Sequence, residues 1–191
     1  VMALNVDHVD VNFFRIKPES LAAFISQWQY RSNLSNWESD NLLKMADLVY
    51  TGRFDLQPAR NTREKLLLPL TDIKPLQQTG VYVAVMNPAG QYSYSNAATL
   101  FTLSDLGVSA HRYRDRLDLF TQSLEHGAAQ SGAEVMLLNA RGQTLNQAPT
   151  DGQGHAPPKT DKDAALLLDR KDGHAPQLDL TLPPPDLAEV A

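Results

Sequence analysis

The chain has 191 residues, 42% of them hydrophobic and 20% charged, a balance that supports one large or two ordinary domains and argues against global disorder. Its 22 acidic and 17 basic residues leave a formal charge of -5 with the basic residues scattered, so the concentrated cationic footprint that nucleic acid or an anionic membrane requires is missing. The absence of cysteine excludes disulfides, thiolate metal sites and cysteine nucleophiles.

Val9 to Phe13 alternates apolar and polar, the period of a half-buried strand. Phe13-Phe14 breaks the alternation and Ile16 falls on the opposite parity, which predicts a bulge or a strong twist. Pro18-Glu19-Ser20 opens a helix whose Leu21, Phe24, Ile25 and Trp28 recur at i, i+3, i+4 and i+7. Trp28 has the spacing of a core residue rather than of a ligand platform. Asn33 to Asn36 reads as a loop, and Trp37 to Ala46 as a stretch with a turn of helix but no clear periodicity. Strands are expected at Leu48–Leu56, Leu66–Leu70, Gly80–Met86 and Ala98–Leu103, each bounded by Pro, Gly, Asn or Asp.

Composition shifts at Ser104-Asp105. Twelve of the fourteen aromatic residues precede it, leaving Tyr113 and Phe120, which is what two cores of different makeup produce. Beyond it, Leu117–Phe120 and Leu178–Leu182 alternate, while Val135–Leu138 and Ala164–Leu168 are continuous apolar runs. Thr150 to Pro158, with two glycines and two prolines, is unsuited to a central strand, and Pro183-Pro184-Pro185 reads as a stiff spacer. No apolar run reaches the roughly 20 residues of a membrane helix, and no export signal opens the chain. Strand-like sequence close to both ends reads as a piece of a larger protein.

Chemistry-bearing motifs are sparse. His8, His111, His126, His155 and His174 lie far apart, so a metal site would have to be assembled from distant loops. Gly107-Val108-Ser109-Ala110-His111 has His where a nucleophile elbow needs Gly, and reads as a strand. Asp161-Lys162-Asp163 and Asp169-Arg170-Lys171-Asp172-Gly173 lack the ligand alternation of a calcium loop and read as solvated turns. The isolated glycines Gly52, Gly80, Gly132 and Gly142 form no phosphate cradle.

The segment Gly132-Ala133-Glu134-Val135-Met136-Leu137, with Gly142, Leu145 and Thr150-Asp151-Gly152-Gln153-Gly154, resembles the Gly-Ala-x-Val-x-Leu, Gly-x-x-Leu, Thr-Asp-x-x-Gly pattern of macroglobulin-like domains. Val9–Arg15, Val49–Leu56, Asn61–Leu70, Gly80–Tyr82 and Phe101–Val108 are similar, in that order, to the N-terminal region of the enterobacterial alpha-2-macroglobulin family. The resemblance covers essentially the whole chain, and departs from the pattern at Ala156-Pro157-Pro158, where an edge strand or open loop is expected. It implies an all-β chain of two tandem macroglobulin-like, immunoglobulin-like antiparallel β-sandwich domains, 1–104 and 105–191, the first with a short helical insertion near 19–30.

The same resemblance implies a structural, non-enzymatic part of a broad-spectrum protease-trapping inhibitor, an inner-membrane lipoprotein facing the periplasm. Its partners would be neighbouring macroglobulin-like domains of the same chain, target proteases engaged through the full-length protein, and a peptidoglycan synthase. The bait segment and thioester of that family match nothing in this chain, and no catalytic, metal, cofactor or binding residue is assigned. The alternative is an immunoglobulin-like stalk of a bacterial adhesin or carbohydrate-binding surface protein, with an enzyme third. The Trp28-bearing helix favours the first.

Overall fold

The computed structural model describes residues 2–3, 5–28, 31–91, 93–113, 116–159 and 161–180. The expected strand at Leu178–Leu182 lies partly outside them, and the proline spacer wholly so. Contacts divide the chain into two compact units, one of Val1–Leu21 with Trp28–Leu103, the other of Ala22–Gln27 with Ser104–Ala191.

Up to Leu103 the elements run β1 (Met2–Ala3), β2 (His8–Ile16), α1 (Leu21–Trp28), β3 (Asn33–Ser35), α2 (Asn36–Met45), β4 (Ala46–Asp55), β5 (Glu64–Lys65), β6 (Gly80–Pro88) and β7 (Ser95–Leu103), all in the first unit except Ala22–Gln27 of α1, which the contacts assign to the second. Five strands form an antiparallel sheet in the order β3-β7-β6-β2-β4, and β1 pairs with β5 in a small ribbon. The pairing of β2 with β4 shifts register between Phe13 and Phe14, the bulge that the broken alternation demands. Phe13 and Phe14, though adjacent, are both buried, since they line opposite faces of the sheet and both faces are covered there.

One sheet face carries Val9, Val11, Phe13, Phe54 and Tyr82, packed with Leu56 and Leu76 and, more peripherally, Leu66, Leu68, Leu70 and Phe101. Aromatic rings fill it: Tyr82 stacks on Phe101 at 5.4 Å, and Phe13 meets Phe54 and Phe101 edge-on. The buried Tyr82 hydroxyl donates to the Gln78 carbonyl at 2.7 Å. Pro18–Ser20 forms a 3-10 turn rather than α-helix, and α1 begins only at Leu21. Leu21, Phe24, Ile25 and Trp28 are all buried.

Two expectations need correcting here. Leu66–Leu70 carries no strand, and among the described residues the pairing of this segment is confined to Glu64–Lys65. Pro69 lacks a donor, the Leu66, Leu68 and Leu70 side chains pack against the first core, and the Leu70 carbonyl accepts from the Ile73 N–H and the Gln77 amide. Trp37–Ala46, expected to hold a turn of helix, is nearly all helix, and the loop before it is a strand and a cap. The Ser35 hydroxyl accepts from the Glu38 N–H, and the Glu38 carboxylate accepts from the Ser35 N–H, a capping box that starts α2 without strong periodicity.

The second unit contains β8 (Leu106–Arg112), β9 (Leu117–Ser123), β10 (Glu134–Asn139), β11 (Thr144–Pro149), β12 (His155–Ala156), β13 (Ala164–Arg170) and β14 (Gln177–Asp179). They form a three-stranded sheet, β12-β9-β8, and a four-stranded sheet, β11-β10-β13-β14. Leu117, Leu119, Val135, Leu137, Ala156 and Leu167 make an aliphatic core. The continuous apolar runs are strands buried on both faces: Val135 to Leu138 and Leu166 to Leu168 are all enclosed. Pro157 follows β12, which lies at a sheet edge, as its missing donor requires.

Candidate functional site

The residues with chemistry to offer do not converge. Among the described residues no three of His, Asp and Glu are grouped to hold a metal ion. His8 contacts Asp55 at 2.7 Å at an exposed strand end, and the His174 ring accepts the Asp105 N–H at 3.0 Å. His155 lies 3.1 Å from Asp118, which also faces the Arg116 guanidinium at 3.0 Å. Ser109 and His111 lie within β8, with the His111 ring edge-on to Phe120.

The Thr150–Gly154 turn joins the strands of the second unit through polar groups. The Thr150 hydroxyl donates to the Gln130 carbonyl and accepts from the Ala133 N–H. Asp151 accepts the N–H groups of Gln153 and His155, and these hold its carboxyl below the usual range, the His155 bond contributing most. At Gly154, with φ +70, a side chain would collide with the Thr121 carbonyl, so the close approach of this turn to β9 requires glycine.

Beside this turn lies Asp169, which the sequence places in a solvated turn. It stands instead in β13, fully enclosed. Its Oδ2 accepts the Thr121 hydroxyl at 2.7 Å, while Oδ1 has no partner among the described residues. Burial pushes its pKa up against the pull of the Thr121 hydrogen bond. The error comes from register: counting from the core residue Leu167, Asp169 shares its face.

Two cavities flank the five-stranded sheet of the first unit. One, of about 570 Å³, is apolar and lies between the Lys65–Leu70 segment and the face bearing Val11, Phe13, Met86 and Phe101. The other, of about 310 Å³, is lined by Asn12, Asn36, Ser39, Asp40, Asn87, Gln91, Ser93 and Asn96, with Phe14 and Val85. Among the described residues, four asparagines and a glutamine thus meet with one carboxylate and no basic group. The Asn36 amide donates to the Ser93 carbonyl at 3.1 Å, the Asn96 amide donates to Asn36 Oδ1 at 3.0 Å, and Asn12 Oδ1 accepts the Thr51 hydroxyl at 2.9 Å. Sequence reasoning missed this cleft because its amides come from β2, α2, β6, β7 and the turn between the last two. The one local signal was Asn12 on the polar side of an alternating strand.

Comparison with known proteins gives this arrangement a family. Residues 1–101 match the family model of the bacterial alpha-2 macroglobulin MG2 domain, and residues 103–189 that of the bacterial alpha-2-macroglobulin MG3 domain. The chain is 75% identical over 189 residues to alpha-2-macroglobulin of Escherichia coli (strain K12), covering 99% of this chain and 11% of that protein. It is 35% identical over 163 residues to alpha-2-macroglobulin of Xylella fastidiosa (strain Temecula1), covering 82% of this chain and 10% of the relative. It therefore spans about a tenth of the length of these curated relatives. The crystal structure of native E. coli alpha-2-macroglobulin spanning domains NIE-MG1 superposes with a TM-score of 0.87 at 74% identity, over 95% of this chain and 87% of that one. With a family model on each half and close identity throughout, the chain belongs to the bacterial alpha-2-macroglobulin family and carries two of its macroglobulin domains.

Proposed function

We propose that the chain serves as a structural scaffold within a periplasmic protease-trapping inhibitor, its two domains holding neighbouring macroglobulin domains in place while bait and thioester chemistry reside elsewhere in the protein. The observation that carries this reading is the 75% identity to E. coli alpha-2-macroglobulin over 189 residues. Identity that close over 99% of the chain means the same frame. Anchoring as an inner-membrane lipoprotein, target proteases and a peptidoglycan synthase belong to the same proposal, as properties of the full-length protein.

A scaffold works through its fold. Leu137 is fully enclosed in the second core, and Leu137→Asp would bury an unpaired carboxylate there. Introduced into the full-length protein, it should abolish protection of a trapped protease from large inhibitors while leaving thioester reactivity with methylamine intact. Undiminished trapping by a variant whose second domain is shown by circular dichroism to be unfolded would defeat the proposal.

A further inference from the structure

We infer that the amide-lined cleft of the first unit binds a neutral saccharide. The cleft is built from Asn12, Asn36, Asn87, Gln91 and Asn96 over a floor of Phe14 and Val85. A side-chain amide presents a donor and an acceptor side by side, the pairing that vicinal hydroxyls of a sugar ring satisfy. Among the described residues no basic group lines the cleft, so an anionic ligand gains nothing from them, and the one carboxylate, Asp40, is too little for a metal ion. A neutral polyol is the chemistry left.

Part of the constellation is fixed and part is available. Asn36 is held by Ser93 and by the capped start of α2, and Asn96 and Asn12 are each tied through one end of the amide. The Asn12 and Asn96 amides keep their other ends uncommitted among the described residues, as do the whole side chains of Asn87 and Gln91. Groups positioned in advance, with spare hydrogen-bonding capacity, lower the ordering cost of binding. The floor of Phe14 and Val85 offers an apolar surface to the C–H face of a ring.

Position argues against a peptide. Strand addition requires an open sheet edge. The cleft instead lies over β2 and β6, whose backbone groups are spent on ladders to both sides. Its volume of about 310 Å³ is at the low end for small-ligand sites, which suits one or two sugar rings.

The test uses the isotopically labelled 191-residue chain, titrated with maltotriose, cellotriose and chitotriose to about 20 mM and followed by amide NMR. At least one should cause saturable shifts of the Asn12, Asn87, Gln91 and Asn96 side-chain amides, with a dissociation constant in the millimolar range or below. Asn87→Ala, and separately the exposed Gln91→Ala, should weaken it about tenfold, the loss of one good hydrogen bond, with the remaining spectrum unchanged. No shift with any of the three, shifts confined to another surface, or an affinity in both variants equal to that of the native chain would overturn the inference. Tri-alanine shifting the same amides while the saccharides do not would overturn it too, in favour of a peptide site. Because the readout is binding to this chain, its failure leaves the scaffold reading untouched, and failure of trapping leaves this one untouched.

Discussion

At Asp169 the charge pattern and the packing disagree. A run of Asp, Arg, Lys and Asp suggests water, yet the alternation that buries Leu167 carries Asp169 inward two residues later, opposite Thr121. Unfolded, such a carboxyl ionises near pH ~3.9; folded, burial holds its proton to higher pH. Between those two values the native state carries the extra proton, so Asp169's contribution to stability is fully present below the unfolded pKa and declines as pH rises through the folded one. Asp169→Asn should remove that decline: melting temperatures measured upward from about pH 4 should shift steadily in the variant's favour relative to the native chain, then level off. Parallel curves would show that Asp169 ionises alike folded and unfolded. Phe13-Phe14 is the opposite case, legible from the sequence because the break in alternation there marks the register shift of β2 against β4.

Elements were legible where a period was clean and obscure where a single hydrogen bond decided. The strands β2, β6, β10 and β13 and the apolar face of α1 follow from alternation, apolar runs or helical spacing. The helix α2 does not. Leu42 is its only buried residue and Trp37 is exposed, so periodicity carries little of its signal. Its start rests on Ser35 and Glu38, and Glu38 also pairs with Arg31. Ser35→Ala should therefore cost about 1 kcal/mol in urea unfolding, with Ser35→Gly costing less. Equal stability of Ser35→Ala and the native chain would mean that packing, not the cap, sets this helix. The Leu66–Leu70 segment fails in the other direction, since its alternation mimics a strand but Pro69 has no donor to give a ladder.

Over the whole molecule, the uneven distribution of aromatics becomes two cores of different makeup, rings around Phe13 and Tyr82 in one and leucines and valines around Leu137 in the other. The family was legible because turn glycines and core runs are local; the amide cleft was not, because no local pattern joins Asn12 to Asn96. We propose further that the domains fold separately, with the junction near Ser104-Asp105; the contact division changes between Leu103 and Ser104 and also assigns Ala22–Gln27 to the second unit. Incubation of the 191-residue chain with trypsin reads this and the central claim together. The digest should contain two resistant pieces from cuts close to that junction, and many scattered early cuts would speak against separate folding. Throughout, trypsin activity toward a small chromogenic substrate and a large protein substrate should stay unaltered apart from ordinary substrate competition, whereas the full-length protein should suppress the second and spare the first. Stoichiometric inhibition by the chain alone, or a covalent adduct with trypsin in the mass spectrum, would contradict the assignment of these two domains to the frame and of the trapping chemistry to the rest of the protein.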